Sequence, residues 1–191
     1  MKLSIFLLFG FLFFTVNLSF GQSPATSKGA SLISGTVNFN STGNEATSTR
    51  NTNLGINPSY SYFLLDKFAV GADLSITYSR FSEDFSSTGF GVGPKAFYFF
   101  DSGNPMIPYL TSSLNFTSIR SNLPLNQSND LNAWNGGVGA GIALRQSHLA
   151  ILIEAGLRFS SIKPAGSNFA SNTNSLFLSV GLAGFLFQEN E

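Results

Sequence analysis

The sequence predicts an all-β chain: an antiparallel, up-and-down transmembrane β-barrel of about eight strands. Three observations predict it. Long segments alternate apolar residues with small or polar ones. The connections between them alternate between short and long. Charged residues are only 10% of the 191-residue chain although 14% is aromatic. Side chains alternate across a strand, so each such segment carries one greasy face and one polar face.

The composition excludes several classes. Apolar residues make up 43%, with 21 Phe and 19 Gly, and the formal net charge is zero. A disordered chain would lack the aromatics. A nucleic-acid partner would require a basic excess, and there is none. With no Cys, disulfides, thiolate metal sites and a lipid-modified N-terminal Cys are ruled out. No cofactor is expected. No later segment forms a transmembrane helix, because the best apolar run, Leu149 to Ile153, ends at Glu154.

At the N-terminus, Lys2 is the only charge before Lys28, and an apolar run extends from Leu3 to Val16. Ser19-Phe20-Gly21 then offers small residues at the positions a signal peptidase reads. This is the pattern of a secretory signal peptide over 1–21, with cleavage expected before Gln22. A short segment, 22–28, leads into a barrel over 29–187, and 188–191 is a tail.

The strands follow in order. Ser31 to Ser41 alternates loosely. Leu54, Ile56, Pro58, Tyr60 and Tyr62 oppose Gly55, Asn57, Ser59 and Ser61. Phe68, Val70, Ala72, Leu74, Ile76 and Tyr78 oppose Gly71, Asp73, Ser75 and Thr77. Phe90, Val92, Ala96 and Tyr98 oppose Gly91, Gly93 and Lys95. Met106 to Arg120 is a looser match. Trp134, Val138, Ala140, Ile142 and Leu144 oppose Gly137, Gly139, Gly141 and Arg145. Leu149, Ile151, Ile153, Leu157 and Phe159 oppose Ala150, Leu152, Glu154, Gly156 and Arg158. Leu176, Leu178, Val180 and Leu182 oppose Ser175, Ser179, Gly181 and Ala183.

A soluble sandwich would also alternate. Segment length favours the membrane: soluble strands usually run about five or six residues, and a tilted membrane strand needs about nine to eleven. The connections agree. Leu65 to Lys67, Asp101 to Pro105 and Gln146 to His148 are short; Ser41 to Ser48, Phe81 to Ser87, Ser121 to Asp130 and Pro164 to Asn172 are longer and polar. Short inner turns and long outer loops are the rule for these barrels. Aromatics gather beside the short turns: Tyr60, Tyr62, Phe63, Phe68, Tyr98, Phe99, Phe100, Tyr109, Phe185 and Phe187. They read as an interfacial girdle.

Asp73, Lys95, Arg145, Glu154 and Arg158 share the face opposite the greasy one and read as a lumen charge network. The expected pairs are Asp73 with Lys95, and Glu154 with Arg158 or Arg145. Such charges must pair or be hydrated. They form either a plug or the selectivity site of a narrow pore, and eight strands leave little lumen. Gly89-Phe90-Gly91-Val92-Gly93 and Gly137-Val138-Gly139-Ala140-Gly141 lack dinucleotide-loop spacing and a strand–turn–helix setting. They make room inside the barrel. His148 is the only histidine. It falls in a short turn, with no Ser-His-acid set around it, so neither a catalytic nor a metal site is assigned.

One segment carries a family resemblance. Gly91 to Phe100 ends a strand in aromatics, a short turn follows, and Ile107-Pro108-Tyr109-Leu110 opens the next strand. This resembles the small eight-stranded outer-membrane barrels, the OmpA/OmpX-like superfamily, and most of all the Bacteroidota "outer membrane protein beta-barrel domain" group. Phe185-Leu186-Phe187 resembles the aromatic-ended last strand read by the barrel assembly machinery, although Gln188 to Glu191 follow it. The resemblance implies a place in the outer membrane of a Gram-negative cell, with lipid and the assembly machinery as partners. It mostly implies no assigned activity. Three functions follow: a non-enzymatic structural or adhesion protein with an unknown extracellular ligand at its outer loops, a narrow channel, or a lipid-modifying enzyme.

Overall fold

The computed structural model describes residues 25–44, 49–80, 86–123, 127–164 and 170–186. The proposed signal peptide, Phe187 and the tail lie outside them. The strands are β1 (Ser31–Asn44), β2 (Thr49–Leu65), β3 (Phe68–Arg80), β4 (Ser86–Phe99), β5 (Met106–Leu123), β6 (Gln127–Gln146), β7 (Leu149–Pro164) and β8 (Ser171–Leu186). Each pairs antiparallel with the next, and β8 returns to β1, closing an eight-stranded up-and-down barrel. No helix among the described residues is long and apolar enough to cross a membrane.

The outward face is apolar at mid-height on every strand. Val37, Ile56, Ile76, Val92, Leu114, Val138, Ile153 and Val180 are all exposed. A continuous apolar belt on this scale marks a lipid-facing surface. The strands are longer than the hydrophobic alternation indicated, reaching 20 residues in β6. The β5–β6 ladder, for example, continues to Leu123 and Gln127, inside what the sequence reading assigned to a loop. Past the belt, polar residues predominate on both strand faces, so the period-two signal fades while the hydrogen-bonded ladder goes on.

The short turns are tightly stitched. Lys67 and Ser147 hold φ of 69° and 58°, a left-handed backbone that costs roughly 1–2 kcal/mol for a residue with a Cβ. Neighbouring segments hold Lys67 in place: its N–H donates to the Thr26 carbonyl, and its carbonyl accepts from Phe99 N. Phe185 N likewise donates to the His148 carbonyl.

Inside this end lies the dry core. Leu32, Phe63, Phe97, Phe99, Ile107, Tyr109 and Phe185 are each at most 1% exposed. Phe99 is the hub, with ring centroids 5.8 Å from Phe63, 5.7 Å from Phe97, 5.5 Å from Tyr109 and 5.9 Å from Phe185. Residues 25–30 close over it. Ala25 and Ala30 are buried in the same cluster. Gly29 N donates to the Phe63 carbonyl, Phe63 N to the Ala30 carbonyl, and Lys28 N to Asp66 Oδ1.

Truncating the hub should therefore open a cavity in a fully packed layer. Phe99→Ala is expected to destabilise the barrel by about 3–5 kcal/mol, and the outward-facing Phe100→Ala by less. Urea unfolding of the two variants in lipid vesicles checks the difference.

Candidate functional site

The interior is organised around two strands that carry glycines at successive inward positions, Gly89, Gly91 and Gly93 on β4 and Gly137, Gly139 and Gly141 on β6. On β6, Gly141 stands between Tyr109 of β5 and Glu154 of β7 in the register. A Cβ there would lie 2.5 Å from Tyr109 Cζ. The blank position lets the Tyr109 hydroxyl donate across β6 to Glu154 Oε2 at 3.2 Å. β4 does the same with Gly93, which is opposite Asp73. Pro94 has no N–H to give to β5, and the β4–β5 ladder breaks between Val92 and Lys95. At the break a Cβ on Gly93 would collide with the Leu114 carbonyl. Asn115 Nδ2 then donates over Gly93 to Asp73 Oδ2 at 2.9 Å. Higher up, Asn135 bridges its neighbours, donating to Thr117 Oγ1 at 3.0 Å and accepting from Ser160 Oγ at 2.7 Å.

Asp73, Lys95, Arg145, Glu154 and Arg158 all occupy inward register positions. The pairs they make differ from those expected. Arg145 Nη1 lies 3.7 Å from Asp101 Oδ2, not beside Glu154. Asp101 also accepts from Thr26 Oγ1 at 3.0 Å and from Gly103 N at 2.8 Å. Arg158 stacks on Phe177, its guanidinium carbon 5.2 Å from the ring centroid, and Lys95 Nζ stands 4.9 Å from the Phe97 centroid. Strand parity fixes the face of a residue but not its height. Arg145 is opposite Ala150, four residues below the Glu154 level, which is about 13 Å along the strand. Lys95 and Arg158 act on Glu154 through space only, and neither is in a salt bridge among the described residues.

The girdle needs a correction. Tyr60, Tyr62, Tyr98 and Phe100 face outward and are 39–53% exposed; Phe68 shares their parity and is half-buried. Tyr109, Phe185, Phe63 and Phe99 face inward and form the dry core. Grouping aromatics by height along the strands merged an outer ring with an inner plug. Asp101, Thr26, Asn115, Asn135 and Phe177 were not singled out. Asp101 alone left a signal: an Asp two residues before a glycine in a turn, here Gly103 with φ +84°.

A closed barrel with an apolar belt outside and a side-chain-filled interior defines a small membrane barrel. Its fold is that of the small eight-stranded outer-membrane barrels, as two solved structures illustrate. The crystal structure of Neisserial surface protein A (NspA) is 19% identical, matching 81% of this chain and 94% of that one with a TM-score of 0.52. The outer membrane protein OprG from Pseudomonas aeruginosa is 13% identical, matching 87% and 100% with a TM-score of 0.53. No protein-family model and no curated protein matches the sequence.

The observed contacts redirect the expected energetics. In a double-mutant cycle, Tyr109→Phe and Glu154→Gln should couple by about 1–3 kcal/mol. Glu154→Gln with Arg145→Gln should show almost no coupling, whereas Asp101→Asn with Arg145→Gln should. Unfolding in detergent micelles provides the measurement, and a strong Glu154–Arg145 coupling would contradict the geometry.

Proposed function

We propose that this chain is a non-enzymatic integral protein of a Gram-negative outer membrane, exported with a cleaved signal peptide. It contributes to envelope structure or binds an extracellular ligand at its outer end, and it does not conduct. The supporting observation is the sealed short-turn end. Phe63, Phe97, Phe99, Tyr109 and Phe185 pack inside the wall, each at most 1% exposed, and Ala25 and Ala30 join their cluster. A pore would need a water path through that layer. The polar strand extensions beyond the belt supply the outer surface. Outer-membrane lipid and the barrel assembly machinery are the proposed partners.

Two measurements test this. Mature protein should start near Gln22, fractionate with the outer membrane and give a flat current trace in a planar bilayer; discrete openings would turn the reading to a narrow channel. Topology is separable from conduction. Asp130→Cys and Ser171→Cys should label from outside intact cells with a membrane-impermeant maleimide, while Lys67→Cys and Ser147→Cys should not. The reverse pattern would invert the barrel.

A further inference from the structure

The barrel is closed between β1 and β8 over only part of their length. Ser31–Val37 pairs with Val180–Leu186. Above that, Asn38–Asn44 pairs with β2 alone and Ser171–Ser179 with β7 alone. By contrast, β5 and β6 stay paired from Met106 to Leu123.

The split begins at membrane depth. Leu176 and Leu178 continue the outward apolar column of Leu182 and Val180. They are the most exposed of the described large apolar side chains, at 84% and 73%, and they lie beyond the last β1–β8 pair. A tilted strand climbs about 2.5 Å per residue, so a column from Leu186 to Leu176 spans about 25 Å, the height of an outer-membrane apolar band. Pairing stops at Val180, roughly 15 Å up on the same scale. Among the described residues, the upper part of the seam therefore has peptide groups without a β1–β8 partner inside the belt. Hydrocarbon does not tolerate these unless they line a polar cavity.

Phe177 and Arg158 stand just inside the split, facing the lumen on β8 and β7. The Phe177 ring lies against Gly139 and Gly156, where an added Cβ would come within 3.2 and 2.9 Å of it. Arg158 is exposed beside this ring and has no carboxylate at salt-bridge distance among the described residues. Apolar side chains thus lead from the lipid side to an aromatic ring and to a guanidinium with no salt bridge among the described residues.

We propose that the β1–β8 split is a lateral entry for a free fatty acid, whose chain passes Leu176 and Leu178 onto Phe177 and whose carboxylate pairs with Arg158. The inference rests on the membrane insertion proposed above. A single chain is specified because the interior is about one side chain deep from each wall. A carboxylate suits the planar guanidinium fork and can also accept from the strand-edge N–H groups that lack a β1–β8 partner among the described residues.

The test uses mature protein in lipid nanodiscs with a diazirine-bearing fatty acid, the matching fatty alcohol, and a phospholipid carrying the same diazirine. Cross-links are mapped by mass spectrometry. The fatty acid should label the lumen-facing positions near Arg158 and Phe177; the alcohol and the phospholipid should label only the outward belt. Arg158→Gln should cut lumen labelling by about tenfold, the order expected for losing one charge-assisted contact. Asn38→Cys with Ser179→Cys, at the next register step above Val37 and Val180, should zip the seam when oxidised and abolish lumen labelling. Since the chain has no native Cys, reductant should restore it in the same folded sample. Belt labelling without lumen labelling overturns the entry alone, as does lumen labelling that is indifferent to Arg158, to the zipped seam or to the head group. Loss of belt labelling by the phospholipid overturns the insertion reading beneath it.

Discussion

An eight-stranded barrel has room inside for about one layer of side chains, and every other feature of this interior answers to that limit. A large residue projecting from one wall needs a small one beside it. The chain meets this need by concentrating inward glycines on β4 and β6. Tyr109 and Glu154 meet only because Gly141 stands between them; Asp73 and Asn115 meet only across Gly93. The glycine-rich segments are thus the complement of the polar network, and a side chain at either position would displace the hydrogen bond as well as overfill the space.

The same limit separates the interior into levels. At the short-turn end the space is filled by aromatic rings, and the charge buried among them, Asp101, is satisfied by Thr26, Gly103 and Arg145. Mid-height carboxylates are held by neutral donors, Tyr109 and Asn115. Near the outer end, Arg158 rests on an aromatic face and is exposed. A buried charge is tolerated only with dedicated hydrogen bonds, so the gradient from enclosed pairs to an open cation traces increasing access to water. Chemistry that needs a mobile ligand belongs at the outer half.

Most of this architecture could be read from the residues. Period two assigned the inward and outward sets on β2, β3, β4, β6, β7 and β8, and the short connections fell where the turns are. What stayed illegible was height. Parity is a property of consecutive residues, but whether Arg145 meets Glu154 or Asp101 depends on the stagger between strands, which no single strand encodes. The aromatics misled for the same reason: Tyr98 and Phe99 are adjacent in sequence and sit on opposite sides of the wall. Strand length was also hidden, because the polar extensions above the belt give up the alternation that makes a strand visible.

The closing seam is where sequence and geometry part most. Every other pairing joins strands that follow one another in the chain, so its register is set locally. β1 and β8 meet from far apart in the sequence, joined by their ladder and by the buried core that Leu32 and Phe185 share. At Gly181 the two backbones come close: an added Cβ would lie 2.6 Å from the Gly35 carbonyl oxygen. Close backbone approach there is followed by loss of β1–β8 pairing just above. In a soluble barrel such an unpaired edge would invite aggregation. In a membrane the edge faces solvent that cannot hydrogen-bond, so what satisfies it must be polar and come from the lumen, or be amphipathic and come from the lipid.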